Sequence, residues 1–257
     1  MSVRKFLLGL TGIGLFVLAW HCATLGNSRT DVPGPWLAFT GLVELASQGV
    51  LWRYVIASVF RVTWGFLLAV IVGIPLGLAI GWSQWIRELL NPLVQALRPI
   101  SPIAWLPIAV LVFGGMRWWE PSDLSAIFLI FLASVFPIVT ASTSAVEGID
   151  SKYLRAAANF GVGGVSLLRL VILPAALPQI LTGLRLAMGI AWVVLVAAEM
   201  LGVQSGLGFQ INDSRNNLRY DFVVAAMLVI SVIGMLLDAI MLRIENMTLT
   251  RSGSTSR

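Results

Sequence analysis

Two ionisable side chains, Arg185 and Glu199, stand inside the apolar stretch Leu181 to Val203 of this 257-residue chain. A carboxylate within a membrane-crossing helix costs about 2.5–3.5 kcal/mol on insertion scales unless a partner or water receives it. Glu199 is therefore read either as an outer gate or as half of an ion pair with Arg215 or Arg219 in the following loop. Arg185 precedes it by about 21 Å of helix. There it either attracts anions or snorkels to lipid headgroups. Trp105 in "IAWLP" and Trp192 in "IAWVV" line a pore or pack in a core, and Asp238 is expected to pair with Arg243 or a neighbouring chain.

Other chemistries lack their residues. No G-x-x-x-x-G-K-[ST] occurs, and "GVGGVS" has glycines without the lysine that reaches phosphates. Neither H-E-x-x-H, a nucleophile elbow nor paired carboxylates on one predicted face is found. His21 is the only histidine and Cys22 the only cysteine, so no internal disulfide forms and the usual zinc ligand sets cannot be assembled. The expectation is no catalytic residue, no metal site and no cofactor in this chain, which reads as something other than an enzyme.

The elements that must position these residues follow from composition. Hydrophobic residues make up 58% of the chain and charged ones 11%, so part of the solvent must be lipid. A bilayer core about 30 Å thick needs roughly 20 apolar residues per helix. Six windows answer: Phe6 to Leu25, Val62 to Trp82, Ile100 to Gly115 with length borrowed from Leu93 to Leu97, Leu124 to Val146, Leu181 to Val203, and Phe222 to Leu242. The first is too long for a signal peptide and lacks a small-residue cleavage site, so it reads as an anchor.

Lysine and arginine bias sets orientation. With the N-terminus inside, the inner segments hold Arg4, Lys5, Arg87, Arg98, Lys152, Arg155, Arg169, Arg185, Arg243, Arg251 and Arg257. The outer ones hold Arg29, Arg53, Arg61, Arg117, Arg215 and Arg219. This bias supports both termini in the cytoplasm. The formal net charge of +5 then reflects topology, because no basic cluster interleaved with aromatics points to nucleic acid.

Residues 1–25 thus form the first spanning helix. Residues 26–61 form an outer linker whose "WLAFTGLVELAS" and "LWRYVIASVFR" are amphipathic helices. Residues 62–242 form a core of five spans, and 243–257 a cytoplasmic tail. Helix breakers recur inside the core: Pro75, Pro99, Pro102, Pro107 and Pro137 free carbonyls that protein or cavity water must satisfy. Gly73 and Gly77 form a small-xxx-small pair, with Gly65 on a nearby face, suited to close helix packing within or between chains.

One segment, 147–178, is punctuated differently. Asp150 or Ser151 caps a helix over "SKYLRAAANF", Gly161, Gly163 and Gly164 break it, and "VSLLRLVIL" forms a second short helix that stops before Pro174. This spacing resembles the cytoplasmic signature of permease subunits in bacterial ATP-driven, binding-protein-dependent importers: E-A-A, three residues, G, nine residues, I-x-L-P. Ala156 and Ala157 match the alanines, Gly161 the glycine, and Val171, Leu173 and Pro174 the close, with Val for Ile. Arg155 replaces the usual Glu, so no role of that carboxylate carries over.

From about Leu51 to Leu242, through "LRPISPIAWLPIAVLVFG", "AIFLIFLASVFPI" and "TGLRLAMGIAWVVLVAAEML", the chain resembles the nitrate, bicarbonate and cyanate branch, near the sulfonate and taurine permeases. The resemblance implies an all-α polytopic fold of about six spans, the type I ABC importer permease fold. It implies a coupling loop, 147–178, that docks on a cytoplasmic ATPase through Arg155, Ala156, Ala157, Gly161, Val171, Leu173 and Pro174, and a translocation path expected at Pro102, Trp105, Pro137, Arg185, Trp192 and Glu199. It further implies a second permease copy as a homodimer and two ATPase subunits that hold ATP and Mg. A periplasmic or lipid-anchored binding protein is implied as well, selecting a small anion, nitrate or nitrite first, with bicarbonate, cyanate or a sulfonate such as taurine as alternatives. The expected location is the bacterial inner membrane. A stand-alone carrier or channel is the competing class, against which the six windows show no inverted repeat.

Overall fold

The computed structural model describes residues 3–25, 32–115 and 120–253. In chain order it contains α1 (Val3–Leu25), α2 (Pro35–Ser47), α3 (Val50–Trp82), α4 (Gln84–Leu97), a 3₁₀ turn (Pro102–Trp105) and α5 (Leu106–Phe113). Then follow α6 (Pro121–Glu147), α7 (Ser151–Asn159), α8 (Gly164–Leu167), a π-helical turn (Leu168–Ile172), α9 (Leu173–Gly202), α10 (Leu207–Asn216) and α11 (Tyr220–Gly253). Helices satisfy backbone polar groups within one segment, which an apolar solvent requires. Arg29, Arg117 and Arg257, used above for orientation, lie outside the described residues, as does the start of the 26–61 linker.

Among the described residues four helical runs are long and apolar enough to cross a membrane: Val50–Trp82, Pro121–Glu147, Gly164–Gly202 and Tyr220–Thr248. The third window is not a straight span. There α4 and the helix Pro102–Phe113 form a pair bent by 88°, because Pro99 and Pro102 bracket a break that cannot continue the i→i−4 ladder. In α1 the apolar run Thr11–Leu25 is shorter than a full span. The six windows therefore correspond to four straight spans, one broken element and a shorter apolar helix.

Two expected boundaries move. "LWRYVIASVFR" is not a separate linker helix but the first third of α3, so the division at residue 61 falls inside a continuous helix. Pro174 does not stop the chain either. It occupies the first turn of α9, where its missing N–H costs nothing, and the π-helical turn carries helical backbone from α8 into α9.

Five small residues, Gly65, Ala69, Gly73, Gly77 and Gly81, recur every fourth position and lie buried along one side of α3. They face α6. A Cβ added to Gly65, Gly73, Gly77 or Gly81 would stand 2.6, 2.8, 2.5 or 2.7 Å from Ile130, Ile138, Ser142 or Val146 respectively. The offset is the same at each step, so α3 and α6 run parallel with their i±4 rows in register. Thr143 Oγ1 donates to the Gly77 carbonyl at 3.1 Å, which only such close approach permits. The Gly73–Gly77 pair thus serves packing within the chain. Opposite this ridge α9 runs antiparallel to α6, with Gly183 against Ala141 and Ala198 in one apolar cluster with Ala126. α6 is the most buried span and α11 the least.

Candidate functional site

The segment between α6 and α9 forms a compact knuckle. Asp150 Oδ1 accepts from the Lys152 N–H at 2.9 Å and caps α7. At the other end Gly161 adopts φ +70°, Val162 N–H donates to Ala157 O at 2.9 Å and Gly161 N–H to Ala158 O at 3.0 Å. These are the two bonds of a Schellman motif, whose left-handed position favours glycine. Nothing lies within 4 Å of a Cβ built on Gly161, so conformation, not space, selects glycine there. Gly164, at φ +59°, reverses the chain again into α8. Ala157 is buried, whereas Arg155, Ala156, Gly161, Leu173 and Pro174 are exposed and Val171 is half-buried. Tyr153, Phe160, Val165 and Leu170 are exposed apolar side chains on this knuckle, Phe160 to 86%.

Two cavities adjoin the broken element. A polar one of about 590 Å³ is lined by α3, α4 and α6, with Arg87, Asn91, Gln95, Arg98, Thr143 and Glu147 among its walls. A smaller apolar one of about 250 Å³ is lined by Arg98, Pro102, Trp105, Phe136, Pro137 and Ile190, among others. Three of the expected path residues, Pro102, Trp105 and Pro137, therefore share one cavity.

The other three do not reach it. Arg185 donates from Nε to Asp238 Oδ1 at 2.6 Å and from Nη2 to Asp238 Oδ2 at 2.9 Å, with Glu245 3.9 Å from Nη1. This clasp joins α9 to α11 and gives Asp238 a partner other than Arg243. Its two carboxylates outnumber the guanidinium charge. Trp192 is buried between the same helices, donating from Nε1 to Ile230 O at 3.2 Å.

Glu199 lies fully buried at the opposite end from the knuckle, and its partner is neither Arg215 nor Arg219. Arg61 of α3, itself 1% exposed, donates from Nη1 to Glu199 Oε1 at 2.6 Å and to Ser205 O at 2.9 Å. Arg61 Nε reaches Asp123 Oδ1 at 2.7 Å, and Nη2 lies 2.5 Å from Ser205 Oγ. Ser58 Oγ sits 2.8 Å from both Glu199 oxygens and accepts from Leu207 N–H, while Gly208 N–H donates to Glu199 Oε2 at 2.9 Å. Gly206, at φ +104°, passes so close that a Cβ there would strike the Glu199 carboxylate. Arg219 instead binds Asp221 and Glu44, and Arg215 binds Asn212.

The network ties the starts of α3 and α6 to the end of α9. Every charge within it is paired and hydrogen-bonded, as burial demands. Sequence reading missed Arg61 because it assigned 51–61 to a surface linker. The available signal was Ser58 and Arg61 three residues apart, leading without a breaker into an apolar run.

Parallel helices packed through small residues, a broken helix beside two cavities and an exposed helical knuckle define a polytopic membrane transport protein. The chain belongs to the family of binding-protein-dependent transport system inner membrane components, whose family model matches residues 65–248. It is thus a multi-pass permease subunit of an ABC transport system.

The chain is 36% identical over 230 residues to the taurine transport system permease protein TauC of Escherichia coli, covering 87% of this chain and 82% of that one. It is 36% identical over 246 residues to the bicarbonate transport system permease protein CmpB of Synechococcus elongatus, covering 90% and 85%. With the nitrate import permease protein NrtB of Leptolyngbya laminosa it shares 37% over 193 residues, 75% of this chain and 67% of that one. Among solved structures, an inward-facing form of the MetNI methionine ABC transporter matches with a TM-score of 0.67 at 16% identity, covering 77% of this chain and 96% of that chain. That likeness is one of fold.

Proposed function

We propose that this permease carries a small anion, an oxyanion such as nitrate or nitrite before bicarbonate, cyanate or a sulfonate such as taurine, by alternating access driven from separate ATPase subunits. Relatives named for nitrate, bicarbonate and taurine transport support the anion class. In this reading segment 147–178 faces the cytoplasm with both termini, and two copies of the chain enclose the path. The ATPases bind ATP and Mg, and a binding protein docks on the opposite face, near the Arg61–Glu199 network. The present chain supplies helices, cavities and the joint.

The observation that carries the coupling role is the knuckle. Its backbone is fixed by the Asp150 cap and the Gly161 turn, yet it presents Tyr153, Phe160 and Val165 to its surroundings. An exposed apolar surface on a rigid frame suits a partner protein. Movement of that partner is transmitted to both α6 and α9, between which the knuckle lies. Transport then needs two packings of the spans close in free energy, biased by the ATPase state.

The test is uptake into proteoliposomes that contain the permease, its ATPase and its binding protein, with nitrate, bicarbonate, cyanate and taurine offered in turn. ATP-dependent accumulation of one of them supports the reading. Gradient-driven uptake by the permease alone, or none of the four with ATP, refutes it.

A further inference from the structure

Arg98 differs from the other arginines around the helix break. Arg87, in the same polar cavity, is committed: its Nη2 lies 3.1 Å from Glu147 Oε1, and it donates to the carbonyls of Ile80 and Gly81. Arg98 has no ion-pair or side-chain hydrogen-bond partner among the described residues, and no other carboxylate lines either cavity it borders. With Arg87 and Glu147 cancelling, the polar cavity keeps one uncompensated positive charge.

The neighbouring donors are also free. Asn91, Gln95 and Arg98 are spaced i, i+4, i+7, on one face of α4 and its cap, and all three line the polar cavity. Neither amide has a hydrogen-bond partner among the described residues, and neither has the Ser144 hydroxyl on the facing wall. By contrast Thr143 and Thr140 are spent on the carbonyls of Gly77 and Phe136. One guanidinium, two amides and one hydroxyl therefore line one space, with Arg98, Gln95 and Ser144 exposed in it and Asn91 half-buried.

Arg98 also stands between that cavity, at the knuckle end of α6, and the apolar one deeper along α6. The rest of the deeper cavity, Ile100, Pro102, Trp105, Leu132, Ala133, Phe136, Pro137 and Ile190, offers no charge.

We propose that Arg98, with Asn91, Gln95 and Ser144, forms a binding station for a small singly charged oxyanion on the path through this permease. A planar guanidinium grips two oxygens of such an ion at once, which chloride cannot reproduce. Station and path rest on the oxyanion reading above, but the station is measurable without transport.

The experiment uses the purified permease–ATPase complex in neutral detergent, with its unfolding midpoint read against sodium nitrate, sodium bicarbonate and taurine, a net-neutral zwitterion that presents one singly charged sulfonate, at constant ionic strength set by sodium chloride. At least one of the three is expected to raise the midpoint of the wild type. In Arg98→Gln the apparent affinity falls about tenfold or more, the size of losing a charged hydrogen bond. Arg98→Lys is intermediate, and Arg53→Gln, at the far end of α3, responds as the wild type.

Equal responses of Arg98→Gln and wild type overturn the proposal, as does a wild type indifferent to all three solutes. A response given by phosphatidylglycerol but by no soluble oxyanion also overturns it and assigns Arg98 to a lipid headgroup. If ATP-driven oxyanion uptake persists unchanged in Arg98→Gln, the station fails while the transport reading stands. If no oxyanion is taken up yet the Arg98-dependent shift is seen, the transport reading fails alone.

Discussion

Arg61 of α3 and Glu199 of α9, 138 positions apart in sequence, meet at 2.6 Å in surroundings closed to solvent. The contact is asymmetric, because Arg61 has a second carboxylate, Asp123, whereas Glu199 has no other cation among the described residues. Removing Arg61 strands a buried charge supported only by Ser58 and the Gly208 N–H. Arg61→Ala is expected to destabilise by about 3–5 kcal/mol, the usual cost of breaking a buried pair from one side. Glu199→Gln keeps an acceptor for Ser58 and Gly208 and leaves Arg61 paired with Asp123, so it costs less. Unfolding midpoints of the two variants in detergent, measured against wild type, give the order; the reverse order contradicts the geometry.

Gly77 and Gly189 are both helical glycines with opposite expectations. A Cβ on Gly77 meets Ser142 Cβ at 2.5 Å and Val139 O at 2.6 Å, so Gly77→Ala must push α3 and α6 apart and lose stability, by about 1–3 kcal/mol for overpacking. Gly189 has nothing within 4 Å, and Gly189→Ala is expected to be neutral or to stabilise α9 by up to about 1 kcal/mol through helix propensity. Thermal unfolding of the two purified variants decides it.

These two cases also mark what sequence reading reached. Apolar length located the spans, and the small-xxx-small pair announced a close helix contact, because both are local patterns. Which helix Gly73 and Gly77 would face was not legible, since α6 begins more than forty residues later and any span of the chain or of a second copy could fill the groove. Arg61 failed for a related reason: a charge at the head of a long apolar run reads as a helix end at the interface, and only the return of α9 shows that it is buried. The knuckle was legible in outline because Asp150 and Gly161 act on their own backbone. Its exit was not, as the π-helical turn that accommodates Pro174 has no composition signal.

Gly161 offers a separation of folding from coupling. Its φ of +70° costs an L-residue roughly 1–2 kcal/mol, and a β-branched one more, whereas asparagine tolerates the left-handed region better. With open space around the position, Gly161→Val is expected to insert and fold normally in the spans while distorting the α7–α8 turn. ATP-driven uptake by the reconstituted complex should drop at least tenfold in Gly161→Val and remain largely intact in Gly161→Asn. Unchanged uptake in the valine variant removes the knuckle from the coupling step.

The knuckle and the α10 region lie at opposite ends of α9, which at 30 residues is about 45 Å long, more than a bilayer core. Phe160 and Asn216 are both exposed, one at each end. Because Cys22 is the only cysteine, Cys22→Ser gives a background in which a single new thiol reports its side. In intact spheroplasts a membrane-impermeant maleimide is expected to label Asn216→Cys and to spare Phe160→Cys, and in inverted vesicles the pattern reverses. A bifunctional reagent should then join Phe160→Cys to the ATPase subunit and leave Asn216→Cys unlinked to it. Labelling of Phe160→Cys from the outside would put the exposed apolar face of the knuckle beyond reach of any nucleotide-hydrolysing partner, and the 147–178 segment would need another role.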